Sequence, residues 1–236
     1  NLILLALSIF ITLHKFASPK ADHSIWNTLL SENVSVNGKV DYLNLKVSKD
    51  KISTYLIELK EHTPGNDWTD EEKKAYYINM YNAYTIQFVV NKYPVNSPND
   101  ISYSGKSIWE LKLVKLGQKS MTLDQLKTDI LRAFGDPRIH FAICDAHLSD
   151  PKLLNKAYTS KSLNDDLNLV TKQFINNLSQ NEIKEKKVLL AKLFETYALD
   201  FKSKDSTIID FINKYSKIQV SPKAKIEYKA ENLSIN

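Results

Sequence analysis

The chain has few of the residues on which several protein classes depend. Its 236 residues include one cysteine, Cys144, so no disulfide can form within the chain and packing must stabilise the fold. It has only five glycines and no glycine-rich phosphate loop. The net charge of +5 comes from lysines interleaved with acidic residues, without a basic-aromatic patch. We therefore expect no nucleic-acid partner, and at most a weak peripheral contact with an anionic cell envelope.

The first 18 residues differ from the rest in composition. An apolar run extends from Leu2 to Leu13, and the small residues Ala17 and Ser18 follow it. That run is short for a membrane span but is typical of the apolar region of a signal peptide. We expect residues 1–18 to be a signal peptide or, alternatively, an uncleaved N-terminal anchor. Residues 19–236 would then form one domain in the periplasm or outside the cell.

The hydrophobic pattern of the remaining chain mixes helical and strand periods. Thr69, with Glu72 three positions later, predicts a capped helix that ends before Pro94 and lies at the centre of the fold. Helices and strands do not alternate regularly, which predicts an α+β fold with a helical majority packed around a small, mainly antiparallel sheet. The predicted helices are 23–33, 48–61, 69–92, 123–134, 160–177 and 206–215, and the predicted strands are 40–43, 109–115, 119–121, 139–144 and 187–194.

The segment from Asp136 to Pro151 holds the polar residues that best indicate a site. Its apolar residues alternate with others as they do along a buried strand, and a polar loop follows. His140 lies on this predicted strand, and a strand that ends in a polar loop is a common place for a site. Arg138 is one of only two arginines in a lysine-rich chain. Its planar fork suits either a ligand or an ion pair with Asp136.

Four separated motifs carry a resemblance to a known family. They are YYINMYNA at 76–83, DPRIHFA at 136–142, PKLLNKAYT at 151–159, and the pattern Phe194-x-x-Tyr197-x-x-Asp200-Phe201. In these motifs the chain resembles the bacterial family catalogued as domain of unknown function 547, over roughly residues 76–201. The resemblance implies a protein that is often exported, and it places Asn79 and Asn82 near the strand that carries His140.

The chain departs from the family where relatives carry two cysteines. By the register of the motifs, those positions are Asp145 and Asp150 here, and Cys144 replaces neither. The family's cysteine and histidine resemble those of thiol hydrolases. On a strand, His140 and Cys144 would lie about 13 Å apart, too far for a direct hydrogen bond. The departure therefore implies a member without thiol chemistry.

His140 and Asp145 are the candidate catalytic residues. A carboxylate beside an imidazole can orient it or act as a base. With His147 and Asp150, the pair could also hold a divalent cation, but the spacing matches no metal signature, and we predict neither a metal nor another cofactor. The structural alternative is a histidine in the core and two aspartates that bind loop backbone.

The other candidates would bind a ligand. Asn79 and Asn82 share one helix face and could position either a substrate or the backbone of the neighbouring strand. Tyr158 and Tyr197 are candidate pocket walls, or core residues. The full set of predicted ligand-binding residues is Asn79, Asn82, Arg138, His147, Asp150, Tyr158 and Tyr197.

These observations predict an exported protein that binds a small or peptide-like envelope ligand in a cleft around His140. The first alternative is a hydrolase in which His140 and Asp145 activate water. The second is a structural or interaction domain that keeps the motifs only for folding. The sequence specifies neither the ligand nor the oligomeric state.

Overall fold

The computed structural model describes residues 18–203 and 206–236, so the predicted leader at 1–18 lies almost wholly outside the described residues. The longest described helix, α4 (Asp70–Lys92), confirms the prediction for 69–92. The Thr69 hydroxyl accepts a hydrogen bond from the Glu72 backbone N–H, and the Glu72 carboxylate accepts one from the Thr69 backbone N–H. This capping box satisfies two free donors at the start of α4.

Short helices surround α4. The predicted helices at 23–33 and 48–61 are confirmed by α1 (Ser24–Asn33) and α3 (Lys49–Glu61). The middle of α4 is buried on nearly all sides, including the amides Asn79 and Asn82. The other helices are α2 (Tyr42–Val47), α5 (Leu123–Gln125), α6 (Leu163–Ile175), α7 (Leu193–Thr196) and α8 (Ile208–Tyr215).

The helix predicted for 123–134 is continuous but irregular. Thr122 caps α5, a π-helical stretch follows over Leu126–Leu131, and a 3₁₀ turn over Arg132–Phe134 ends it. Gly135 stops the helix in the left-handed conformation, with φ 65°, which glycine adopts at low cost. The widened π turn carries Lys127 into the interior.

The strands form small sheets, which confirms the predicted α+β class. Two hairpins are antiparallel: β1 (Ser102–Tyr103) with β2 (Lys106–Ser107), and β3 (Val114–Leu116) with β4 (Lys119–Met121). A three-stranded sheet has the order β5-β6-β7, with β5 (Glu182–Lys184) antiparallel and β7 (Lys225–Tyr228) parallel to β6 (Lys187–Leu190). The helical and sheet elements form one domain.

The predicted strand at 40–43 is wrong. Val40 makes a single isolated bridge with Val34, and α2 begins at Tyr42. The Asp41 carboxylate accepts a hydrogen bond from the Asn44 backbone N–H. This N-cap favours a helix and outweighs the short strand-like pattern.

The predicted strand at 139–144 is also wrong, because residues Pro137–Phe141 form a 3₁₀ helix. Asp136 caps it by accepting from the Arg138 backbone N–H, and Pro137 stands at its first position, where the missing N–H costs nothing. Residues 139–144 are all buried, since other elements cover the segment on every side. The alternating pattern therefore reflects burial rather than a strand, and the distance argument for His140 and Cys144 does not apply.

A cluster of phenylalanines joins this 3₁₀ helix to the C-terminal third of the chain. Phe141 contacts four other phenylalanine rings at centroid distances of 5.2–6.1 Å. Those partners are Phe174, Phe194, Phe201 and Phe211. The cluster fixes the segment that carries His140 against α6, α7 and α8. No helix within residues 18–203 and 206–236 is long and apolar enough to cross a membrane.

Candidate functional site

His140 forms a buried polar group with Asp200 and Arg132. Its Nε2 lies 2.7 Å from Asp200 Oδ2, and Arg132 donates two hydrogen bonds to the same carboxylate at 2.6 and 2.8 Å. The Arg132 side chain holds the pKa of Asp200 below its usual value. Since Asp200 is then an ionised acceptor, Nε2 of neutral His140 carries the proton, and Nδ1 is left as an acceptor.

Aromatic rings hold the imidazole in place. The Tyr197 ring stacks on His140 with centroids 4.2 Å apart, and Phe201 contacts it at 5.4 Å. Arg132 also lies over the Tyr197 ring, at 5.4 Å from its centroid. These contacts leave 4 % of His140 exposed. Burial lowers the pKa of His140 below its ordinary value, although Asp200 opposes the shift.

Asp145 belongs to a second, partly buried group. Lys127 Nζ lies 2.7 Å from Asp145 Oδ2, and the Tyr81 hydroxyl donates to Asp145 Oδ1. Burial alone would raise the pKa of Asp145, but Lys127 outweighs it and the pKa is lowered. Burial alone would lower the pKa of Lys127, but the charge of Asp145 outweighs it and the pKa is raised. The structure thus pairs His140 with Asp200, and Asp145 with Lys127, rather than His140 with Asp145.

His147 and Asp150 form a third polar pair. Asp150 Oδ2 accepts from the His147 backbone N–H at 2.7 Å and lies 3.2 Å from His147 Nδ1. Burial raises the pKa of Asp150 in spite of its contact with His147. Burial alone would lower the pKa of His147, yet Asp150 raises it above its ordinary value. The pair closes the loop that follows Asp145.

Asn79 and Asn82 bind backbone groups. Asn79 donates to the Tyr158 carbonyl at 2.8 Å and accepts from the Tyr158 N–H at 3.0 Å. Asn82 donates to the Ala142 carbonyl at 2.9 Å and accepts from the Cys144 N–H at 3.0 Å. Each side-chain amide thus pairs with one backbone carbonyl and one backbone N–H, as the backbone of a neighbouring strand would. Asn82 fixes the backbone that leads directly into Asp145.

Two predicted ligand-binding residues lie apart from these groups. Arg138 donates two hydrogen bonds to Asp136, at 2.9 and 2.7 Å, and contacts two asparagines of α6. Tyr158 is 1 % exposed and its hydroxyl has no hydrogen-bond partner among the described residues. The structure therefore brings together His140, Asp145, His147, Asp150 and Tyr197, with Asn82 behind them.

Two cavities that share lining residues border these groups. A small cavity of about 30 Å³ touches His140, Lys127 and Asp145. A larger one of about 380 Å³ opens between α7, the loop after Asp145 and residues 229–232. Both are lined by Asp145, Asp150, Leu193 and Tyr197. A polar cavity of about 30 Å³ is large enough for at least one water molecule beside the imidazole.

Cys144 contributes no reactive thiol to the cleft. It is 2 % exposed, and its Sγ accepts a hydrogen bond from the Ala146 N–H at 3.3 Å. Burial raises the pKa of the thiol well above its ordinary value, and a thiol of this kind is inert. Among the described residues, no group of three or more His, Cys, Asp and Glu side chains is arranged to hold a metal ion.

Sequence reasoning missed three residues of the site, Lys127, Arg132 and Asp200. Two signals were present: Arg132 is the second of the two arginines, and Asp200 belongs to one of the motifs. No signal marked Lys127 among many lysines. Its burial depends on the π-helical turn, which has no clear pattern in the sequence.

The pKa values of the two histidines of the site should be shifted in opposite directions. We expect the pKa of His140 to lie below 6.5 and that of His147 above it, in a pH titration followed by NMR of the ring signals. As the pH falls below the unfolded pKa of His140, its imidazole binds a proton more readily in the unfolded chain than in the fold, and this lowers stability. His147 would instead stabilise the fold at low pH, and this contribution would be lost as the pH rises through its folded pKa. Equal values for both rings would contradict the described pairing.

One comparison with known proteins gives a match. Residues 66–175 match the family model described as "Protein of unknown function, DUF547". The matched part contains α4, the 3₁₀ helix with His140, and the loop from Asp145 to Asp150. No curated protein and no solved structure matches the chain.

Proposed function

We propose that the protein, whose residues 66–175 match the DUF547 family model, binds a small, peptide-like ligand in the cleft above His140. The observation that carries the proposal is that the larger cleft and the small cavity at His140 share four lining residues, Asp145, Asp150, Leu193 and Tyr197. Concave sites with a few convergent polar groups are the usual places for small ligands. The apolar run at Leu2–Leu13 supports an exported protein, with its ligand in the cell envelope.

The lining of the cleft favours a ligand with both charges and amide groups. It contains acidic groups at Asp145 and Glu231, and ammonium groups at Lys192 and Lys229. Serine, glutamine and asparagine side chains lie between them, and Leu193 and Tyr197 supply apolar surface. A short peptide with free termini presents matching charges and backbone groups. The buried Cys144 supports binding without thiol chemistry.

The test is an NMR titration of the ¹⁵N-labelled protein with trialanine. We expect amide shifts concentrated at residues 145–150, 191–197 and 229–232. N-acetyl-trialanine amide, which lacks both terminal charges, should bind much more weakly, because its blocked ends form no charge-assisted contacts with the charged groups that line the cleft. Shifts of equal size with both peptides would contradict the charge-matching argument, and their absence at the cleft would contradict the binding function.

A matched pair of variants tests whether trialanine binds in the cleft or elsewhere on the surface. Ala230→Trp fills the cleft from an exposed position and should abolish the trialanine shifts while leaving the thermal midpoint close to that of the parent. Ser31→Trp places the same side chain at an exposed position on α1 and should leave binding unchanged. If both variants lost binding, or neither did, the ligand would not occupy this cleft.

The pairing of His140 with Asp200 favours a second candidate function, hydrolysis. An imidazole whose Nε2 is held by a carboxylate, and whose Nδ1 stays unprotonated, is suited to act as a general base toward water. The same titration distinguishes the candidates, because hydrolysis would convert trialanine into new peptide signals over time. Cleavage that persists in His140→Gln would exclude His140 as the base. Unchanged spectra of protein and peptide would favour the third possibility, a structural domain.

A further inference from the structure

A second and larger cavity lies on another face of the protein. It has a volume of about 460 Å³ and lies between the second half of α6, the loop at 36–37 and Lys217 after α8. Of the residues that line the peptide cleft, only Asp150 also borders this cavity. We propose that this cavity binds a small organic anion, in which a carboxylate or phosphate group is attached to an apolar body.

Three lysines make the cavity positive. Lys152, Lys172 and Lys217 line it, and none of their ammonium groups forms an ion pair or a hydrogen bond with another residue in the described part of the chain. Eight other lysines in the described part of the chain have a carboxylate partner, including Lys187 and Lys229. The single carboxylate in the lining, Asp150, is already bonded by His147. Three uncompensated cations around one cavity are a site for an anion.

Asn176 bonds the backbones of two of these lysines. Its amide nitrogen donates to the carbonyls of Lys172 and Tyr215, at 2.7 and 2.9 Å, and its oxygen accepts from the Lys217 N–H at 2.8 Å. The end of α6 is thereby joined to the segment after α8. The Phe174 carbonyl is likewise bonded, by the Asn181 side chain. Since amides satisfy these carbonyls, the lysine ammonium groups remain available for a ligand.

The third lysine, Lys152, packs against the loop that contains Gly38. A Cβ atom at Gly38 would lie 2.4 Å from Lys152 Cβ, so the lysine stem packs directly on the glycine backbone. Gly38 also has φ 73°, which disfavours other residues. The loop at 36–38 therefore fits closely against Lys152. This packing places the lysine at the rim of the cavity, opposite α6.

The remaining lining explains why the anion should carry an apolar part. Val36 is 90 % exposed and Leu169 is 44 % exposed at the edges of the cavity. Val170 and Phe174 form its buried floor. A ligand that places its anionic group among the lysines can cover this apolar surface with the rest of its structure, which gains hydrophobic free energy.

The probe is phenyl phosphate, with phenol as its neutral counterpart, in NMR titrations of the ¹⁵N-labelled protein. We expect phenyl phosphate to shift amides at 36–38, 169–177 and 217, and phenol to shift them far less. Lys172→Gln with Lys217→Gln should raise the apparent Kd at least about tenfold, since two charge-assisted contacts are lost. Added salt should weaken binding to the parent protein.

The control is a variant with the same loss of charge elsewhere. Lys60→Gln with Lys112→Gln removes two exposed lysines outside the cavity and should leave the affinity unchanged. The proposal is overturned if phenol binds as well as phenyl phosphate, if both double variants weaken binding equally, or if shifts are absent or lie outside the cavity. Trialanine binding at the other cleft should persist in both double variants.

Discussion

Replacing Lys127 with methionine is expected to lower the free energy of unfolding by about 3 kcal/mol at pH 7. Methionine fills a similar volume but leaves the Asp145 carboxylate without its cation, 2.7 Å away in the parent. The cost should lie at the lower end for a broken buried pair, because 29 % of the Asp145 side chain stays exposed to water. Urea denaturation followed by circular dichroism measures the change.

The double variant Lys127→Met with Asp145→Asn is the control. It removes both charges and keeps an acceptor for the Tyr81 hydroxyl, so we expect it to recover most of the lost stability. Without Lys127, the pKa of Asp145 should rise, so the difference between Lys127→Met and the parent should narrow as the pH falls. A single variant as stable as the parent at pH 7 would contradict the role of this ion pair.

Asn82→Ala is expected to cost about 2–4 kcal/mol of stability, because it leaves the Ala142 carbonyl and the Cys144 N–H without partners in the core. The same backbone leads into Asp145, so the variant should also lose trialanine binding. Chemical denaturation and the NMR titration measure the two effects on one sample.

Asn79→Ala is the matched comparison. It removes the same pair of hydrogen bonds from the backbone of Tyr158, so its cost in stability should be similar. Tyr158 lines neither the cleft nor the cavity at His140, and trialanine binding should therefore persist. If Asn79→Ala and Asn82→Ala lost binding equally, the loss would reflect general loosening of the fold and not the position of Asp145.

Local signals in the sequence predicted the helices well. The capping box at Thr69 and the stop at Gly135 depend on a few neighbouring residues, and both are present in the structure. The strand predicted around His140 was wrong because Asp136 and Pro137 start a 3₁₀ helix, while tertiary packing buries residues on all sides of it. The strand β7 was missed because its pairing partner lies far away in the chain.

Several candidate residues lie close together in the structure, but the sequence did not indicate which side chains pair. His140, Asp145, Asp150 and Tyr197 line one or both of two cavities, and His147 contacts the lining residue Asp150. The partner of His140 is Asp200, 60 positions away in the sequence, and periodicity contains no information about such a contact. Whether these residues bind a ligand stays a prediction.

The proposed function requires that the imidazole of His140 respond to a ligand bound in the cleft. The direct measurement is an NMR spectrum of the histidine side chains recorded with and without trialanine. We predict that the ring signals of His140 shift on binding, while those of His62, which is bonded to Glu58 on α3, stay unchanged. If the amide signals of the cleft shifted on binding and the ring signals of His140 did not, the claim would be contradicted. The imidazole would then have only a structural role in the core.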